Sequence, residues 1–225
     1  MTTASQFQQV ARINQSLTAS VEKRALQWMA LRAPRWLTSD HLTLLGFAAQ
    51  IASGFSYFLT RYDRRALLLV VACIALNWLG DSLDGTLART RHQERPRYGF
   101  YVDHMADIFG SVALMTGLAC STLLHPSIAI AMLVAFLILS AESYLATHTL
   151  SRFVLSQGFF GPTEIRILLI AGNLAALRSP YSVLHGHKFL LFDIGGAIAA
   201  GAMLFLSIAV AIRHTARLYR EEPLP

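Results

Sequence analysis

Residues 80–110 read GDSLDGTLARTRHQERPRYGFYVDHMADIFG, between ALLLVVACIALNWL at 66–79 and SVALMTGLACSTLL at 111–124. Five acidic residues and four arginines are crowded between two runs that carry no charge at all. Each flanking run is apolar enough to lie in hydrocarbon, and carboxylates at a membrane helix end are costly unless something answers their charge. The stretch therefore predicts two membrane helices joined by a polar connection. It also raises the question of what Asp81, Asp84, Asp103 and Asp107 are doing there.

The rest of the chain repeats the pattern. Of 225 residues, 54% are hydrophobic and 14% charged, and the mean hydropathy is +0.46. Charges fall in clusters between long apolar stretches, as in a polytopic helical membrane protein. Six spans are expected, at about 41–60, 65–82, 103–124, 127–149, 162–178 and 188–212, each near the roughly 20 residues that cross a bilayer core. Ahead of them, residues 18–33 place Val21, Leu26, Trp28, Met29 and Leu31 among Lys23, Arg24 and Arg32, up to Pro34. That is the composition of an amphipathic helix lying in the membrane interface. The predicted fold is all-α. Residues 1–225 form one domain, with an interfacial helix at 18–33 and a six-helix transmembrane bundle at 41–212. Cys73 and Cys120 both fall inside predicted spans, so neither a disulfide framework nor a zinc site is expected.

Lys and Arg are unevenly distributed. With six spans both termini share a side, and that side collects thirteen of the nineteen basic residues. They are Arg12, Lys23, Arg24, Arg32 and Arg35, then Arg89, Arg91, Arg95 and Arg97, then Arg152, and finally Arg213, Arg217 and Arg220. The other side has Arg61, Arg64, Arg65, Arg178 and Lys188, and Arg166 lies within a span. The positive-inside rule then puts both termini, and the 80–103 connection, in the cytoplasm, with the cell inner membrane the expected location. No soluble basic domain is left to bind nucleic acid, and attraction to anionic lipid headgroups accounts for the charge.

Asp81 and Asp84 are three residues apart, and Asp103 and Asp107 four. Either spacing places a pair on one helix face, one turn from each other. Two adjacent helix ends would thus present four carboxylates to one another, a repulsion that divalent cations relieve. All-oxygen ligands select Mg²⁺, Mn²⁺ or Ca²⁺ over zinc, and bridging carboxylates suit a two-metal site that clamps a transferring phosphoryl group. Gly85 and Gly99 remove side chains where a ligand has to approach the backbone. Arg89 offers a fork of donors to a phosphate oxygen.

The whole pattern, Asp81-x2-Asp84-Gly85-x2-Ala88-Arg89-x9-Gly99-x3-Asp103-x3-Asp107, resembles the signature of the CDP-alcohol phosphatidyltransferase family. The resemblance implies transfer of a substituted phosphoryl group from a CDP-linked donor to an alcohol, with release of CMP. It implies that Asp81, Asp84, Asp103 and Asp107 ligate two ions, Mg²⁺ or Mn²⁺. Gly85, Ala88, Arg89 and Gly99 would line the nucleotide and phosphate pocket, and Asp107 would act as general base on the acceptor hydroxyl. Upstream, TSDHLTLLG at 38–46 is similar to the family's Pro-Asn-x-x-Thr segment, with Asp40 in the Asn place and Thr43 in the Thr place. Members of the family are often homodimers, and the implied setting is phospholipid synthesis.

Two stretches bear on the acceptor. VDHMAD, which puts His104 directly after Asp103, and GPTE, residues 161–164, resemble segments of choline and ethanolamine phosphotransferases. There the matching positions, here His104 and Glu164, are associated with activating a diacylglycerol hydroxyl. Short chains like this one instead more often resemble enzymes that use CDP-diacylglycerol and a polar acceptor: glycerol phosphate, inositol phosphate or serine. For an acceptor that carries a phosphate, Arg152 and Arg166 are the candidate cations. CDP-diacylglycerol is the favoured donor, with CDP-choline or CDP-ethanolamine plus diacylglycerol the alternative. An ion-coupled transporter is the rival class. It predicts charges near the bilayer midplane and interrupted helices rather than a glycine- and arginine-bearing connection.

Overall fold

A computed structural model describes residues 12–13, 19–150, 153–154, 162–184 and 186–222. Among them are seven helices: α1 (Ala19–Arg32), α2 (Ser39–Leu59), α3 (Ala66–Thr90), α4 (Pro96–Ala119), α5 (Pro126–Leu150), α6 (Pro162–Arg178) and α7 (Leu191–Glu221). Three of them open on proline, whose fixed φ suits the first helical turn and whose missing N–H is not needed there. Thr38 caps α2. Its hydroxyl accepts from the His41 N–H while His41 Nδ1 accepts from the Thr38 N–H, both at 3.3 Å. This is a capping box with histidine in the usual place of Glu or Gln.

Four helices, α2, α3, α5 and α7, are long and apolar enough to cross a membrane. The chain is an integral membrane protein. The segments predicted as spans three and five are helical as well, but α4 carries Arg97, Asp103, His104 and Asp107 in its first half. At 17 residues, α6 is short and contains Glu164, Arg166 and Asn173. Both pack onto the other helices, α4 against α2 and α5, and α6 against α3.

Helix boundaries depart from the predicted spans mainly on the polar side. α3 runs eight residues past 82, and α4 begins seven before 103. Most of the acidic stretch is therefore helical, leaving only residues 91–95 to turn the chain. The turn closes α3 with the Gln93 N–H on Ala88 O at 2.9 Å and the His92 N–H on Arg89 O at 3.2 Å. His92 takes the left-handed conformation (φ 56°) that such a helix terminus requires. Similarly, α7 continues to Glu221, nine residues past its predicted end.

The all-α expectation holds for the seven helices, with short strand pairings only in connecting segments. The connection between α6 and α7 is an antiparallel hairpin, β3 (Tyr181–Leu184) with β4 (His187–Leu190), and β1 (Arg12–Ile13) pairs in parallel with β2 (Phe153–Val154) over two residues. Gly186 at φ +81° supplies the left-handed residue of the turn, and the flanking Tyr, Val and Phe favour strands.

α1 has two apolar sides. Leu26 and Ala30 are buried with Leu42, Leu83 and Leu87, while Val21, Trp28 and Leu31 face outward, with the Arg32 guanidinium 4.3 Å above the Trp28 ring. Arg91, at the end of α3, donates to the carbonyls of Ala33 (3.0 Å), Pro34 (2.9 Å) and Leu37 (2.5 Å). These bonds seat the α1–α2 elbow against α3.

The centre of the bundle is α2, and it meets two neighbours backbone to backbone. At its crossing with α3, a Cβ on Gly80 would lie 2.6 Å from both Gly46 N and Leu42 O. At its crossing with α4, a Cβ on Gly117 would collide with the Gly54 carbonyl, and one on Gly54 with the Ala113 carbonyl. Close packing without side chains is the main way membrane helices associate. Three further glycines, Gly195, Gly196 and Gly201, lie close together on α7. Of these only Gly196 meets a neighbour, the Ile128 and Met132 side chains of α5, and the other two are open. The α2–α4 crossing predicts that Gly117→Val costs about 2–3 kcal/mol through overpacking. By contrast, Gly201→Ala is neutral or slightly stabilising, because alanine is the better helix former. Thermal unfolding in one detergent checks both, and equal loss from the two variants would contradict the crossing.

Candidate active site

The α2–α3 crossing falls one residue before Asp81, so the last turns of α3 lie directly against the first turns of α2. One narrow pocket opens there between α2, α3 and α4. Thr43, Asn77, Asp81, Asp84, Asp103 and Asp107 line it, with Gly46, Phe47, Gln50 and Ala106. It encloses about 10 Å³, about the room one water-sized particle needs. All four aspartates singled out in the sequence thus face one space.

The two carboxylates of α3 are held differently. Asp84 is buried, its Oδ2 accepting from Thr43 Oγ1 at 2.6 Å, while Ser39 Oγ donates to its carbonyl at 3.1 Å. Both donors come from the start of α2, which explains why TSDHLT lies beside the acidic stretch. Asp81 takes a 2.5 Å bond from Arg166 Nη2, and Arg166 Nε donates to Asn77 Oδ1 at 3.0 Å. Asn77 in turn donates to Gly46 O at 3.0 Å, across the helix crossing. Arg166 therefore neutralises part of the pocket's charge. Among the described residues no group of three His, Cys, Asp or Glu side chains stands, as placed, so that it could hold a metal ion. The donor set nonetheless fits a hard divalent cation, since every ionisable group lining the pocket is a carboxylate.

His104 is next to the pocket wall on α4. Its Nδ1–H donates to Phe100 O at 2.6 Å, and its ring lies between Phe100 (4.1 Å) and the edge of Tyr144 from α5 (4.8 Å). In the neutral ring this assigns the proton-accepting lone pair to Nε2. Glu164 is buried in the first turn of α6. Gly85, Ala88, Arg89 and Gly99 lie outside the lining, at the end of α3 and in the first turn of α4. Arg89 is exposed and donates to Thr86 Oγ1 at 3.1 Å, and a Cβ at Gly99 would meet nothing within 4 Å. Arg152 and Gly161 lie outside the described residues.

Asp40, read as standing in the family's Asn place, is not in the pocket. It pairs with Arg95, which also stacks 4.2 Å over the Tyr98 ring, and so ties the start of α2 to the 91–95 turn. The carboxylate raises the Arg95 guanidinium further above its ordinary range. Two polar residues of α5, Tyr144 and Glu142, meet different partners. Tyr144 packs on His104, whereas Glu142 accepts a 2.6 Å bond from His214 and joins α5 to α7. Sequence reading missed Asn77, although an Asn in an apolar run, four residues before Asp81, was the available signal.

Residues 36–212 match the sequence profile of the CDP-alcohol phosphatidyltransferases. No curated protein sequence matches the chain significantly. Among solved structures, the Mycobacterium tuberculosis phosphatidylinositol phosphate synthase in complex with manganese and citrate is similar at TM-score 0.52 and 22% identity, over 88% of this chain and 87% of that one. The same synthase with CDP-DAG bound gives TM-score 0.50 at 22% identity, over 89% and 92%. At this identity the likeness is one of fold. The profile match spans most of the chain, from the start of α2 to α7, and the chain belongs to the CDP-alcohol phosphatidyltransferase family of enzymes.

Proposed function

We propose that this enzyme transfers the phosphatidyl group of CDP-diacylglycerol to a polar alcohol, releasing CMP. The acceptor oxygen forms a new bond to the lipid phosphorus, the phosphoanhydride bond to CMP breaks, and the hydroxyl proton leaves to a base. The observation that carries this reading is the convergence of Asp81, Asp84, Asp103 and Asp107 on one pocket inside the family-matched segment. The donor is supported by the fold shared with a synthase that binds CDP-DAG.

Asp81, Asp84, Asp103 and Asp107 would hold Mg²⁺ or Mn²⁺, two ions, and manganese in the similar synthase supports that choice. Bound there, the ions would neutralise the carboxylates and the charge growing on the departing CMP. The protein's own part is orientation. The Thr43 hydroxyl holds one oxygen of Asp84 and Arg166 holds one of Asp81, which leaves less to rearrange when substrate arrives. Asp107 is the base nearest the reacting centre in this reading, with His104 Nε2 and Glu164 as the residues that would serve a diacylglycerol acceptor instead. Gly85, Ala88, Arg89 and Gly99 would form the outer lip that receives the nucleotide. Arg166, and Arg152 by position, would meet an acceptor phosphate.

The site, the interfacial helix α1 and both termini face the cytoplasm in this account, on the basic-residue distribution, with α4 and α6 as the two further spans and the inner membrane as location. A homodimer is the expected assembly. The open glycines 195 and 201 of α7 offer it a close-packing face.

Thr43→Val removes the 2.6 Å bond to Asp84 at nearly constant volume. It should raise the Mn²⁺ concentration for half-maximal activity by about 10- to 100-fold, as loss of a ligand's supporting partner does, whereas Thr43→Ser should stay near wild type. A metal titration of CMP release measures this, and an unchanged requirement in Thr43→Val would count against Asp84 as a ligand. Turnover itself is tested in lipid micelles with two donor sets. CDP-diacylglycerol with glycerol phosphate, inositol phosphate or serine should release CMP, and Asp84→Asn or chelation should abolish it. Turnover only with CDP-choline or CDP-ethanolamine plus diacylglycerol would replace the proposed donor and make His104 and Glu164 the catalytic pair to pursue.

A further inference from the structure

Glu22 belongs to the first turn of α1 and lines no part of the aspartate pocket. Yet its Oε1 accepts three hydrogen bonds, from Trp78 Nε1 at 2.9 Å, Ser82 Oγ at 3.2 Å and Thr163 Oγ1 at 2.8 Å. Trp78 and Ser82 are one turn apart on α3, and Ser82 is the neighbour of Asp81. Thr163 opens α6, next to Glu164 and three residues before Arg166. Arg166 itself meets Asn77 and Asp81, again one turn apart on α3. The start of α6 is thus tied to α3 twice. One tie is direct, through the guanidinium, and the other passes through a carboxylate supplied by a third helix.

That third helix is firmly seated. Leu26 and Ala30, one and two turns beyond Glu22, are buried against Leu83 and Leu87 of α3. The carboxylate is therefore presented from a packed surface, and holding it there costs little side-chain freedom. Its partners are an indole N–H and two hydroxyls, all neutral, and all three meet the same oxygen. Such an arrangement uses the side chain as an acceptor at a fixed point.

We propose that Glu22 is a positioning residue for the catalytic centre. It fixes the first turn of α6 against α3 and so aims Arg166 at Asp81. The inference rests on reading the aspartate pocket as the phosphotransfer site. Because one oxygen does the work, the amide oxygen of glutamine can replace it, whereas alanine leaves Trp78, Ser82 and Thr163 without their common acceptor.

The test uses the full-length protein in lipid nanodiscs as wild type, Glu22→Gln and Glu22→Ala, with two readouts. Hydrogen exchange follows the amides of residues 166–172, and steady-state kinetics follow CMP release. Glu22→Ala should speed exchange in that segment while α2 and α4 keep their wild-type protection. It should also lower kcat by about 10- to 100-fold, the scale of a small misplacement at a reacting centre, with the donor KM little changed. Glu22→Gln should restore both. Loss in Glu22→Gln equal to that in Glu22→Ala would make the charge the active feature and overturn the proposal. So would wild-type exchange and activity in Glu22→Ala, and so would faster exchange spread through α2 and α4, the mark of a merely structural residue. Exchange is read without turnover. A wild type that released no CMP would count against the proposed reaction, while the α6 amides would still decide the role of Glu22.

Discussion

Where α2 crosses α3 at Gly46 and Gly80, and α4 at Gly54 and Gly117, no side chain separates the backbones, and the rest of the site depends on that. Had either crossing been spaced by leucines, the helix axes would stand farther apart, at the 8–10 Å usual for side-chain packing. The Thr43 hydroxyl would then fall short of Asp84, and Asn77 short of the Gly46 carbonyl. In a bilayer such contacts cannot rely on hydrophobic expulsion from water, so close approach and interhelical hydrogen bonds must hold the helices together. The glycines and the polar pocket are two consequences of one packing arrangement.

Four carboxylates in one narrow space are an electrostatic liability, which the protein answers locally. The Arg166–Asp81 pair is largely screened from solvent, with side chains 16% and 27% exposed. The hydroxyl of Thr43 and the amide of Asn77 complete the set without adding charge. The Arg95–Asp40 pair is a different case. Its side chains are 53% and 49% exposed, so it contributes little to stability. Its effect is to hold the short 91–95 turn near the start of α2. The turn joins α3 to α4 closely in sequence, but it is α2, packed against both helices, that gathers their two aspartate pairs around one pocket.

Much of this was legible in the sequence, because the relevant signals are periodic or spaced. The apolar runs gave the helices, the Asp81/Asp84 and Asp103/Asp107 spacings gave two helix faces, and TSDHLT was recognised beside them. Helix ends were misread because hydropathy marks where a helix leaves the apolar region, whereas α3 and α7 continue well beyond it. The glycines that matter were missed for a related reason. Gly46, Gly54, Gly80 and Gly117 are scattered over three helices, and only tertiary contact shows that they pair. The GAIAAGA stretch of α7 is conspicuous in sequence, yet of its glycines Gly196 alone meets a neighbour. Asn77, Ser39 and Glu22 are polar residues whose meaning lies in partners 31 to 141 residues away.

The proposed chemistry requires that α3 and α4 together supply one divalent-cation site. It is tested most directly by a structure of the protein with Mn²⁺ and CDP-diacylglycerol, using the anomalous signal of manganese. Two manganese peaks enclosed by Asp81, Asp84, Asp103 and Asp107, with the donor phosphates beside them, are the expected result. Manganese bound elsewhere, or a donor bound with no metal between these aspartates, would contradict it.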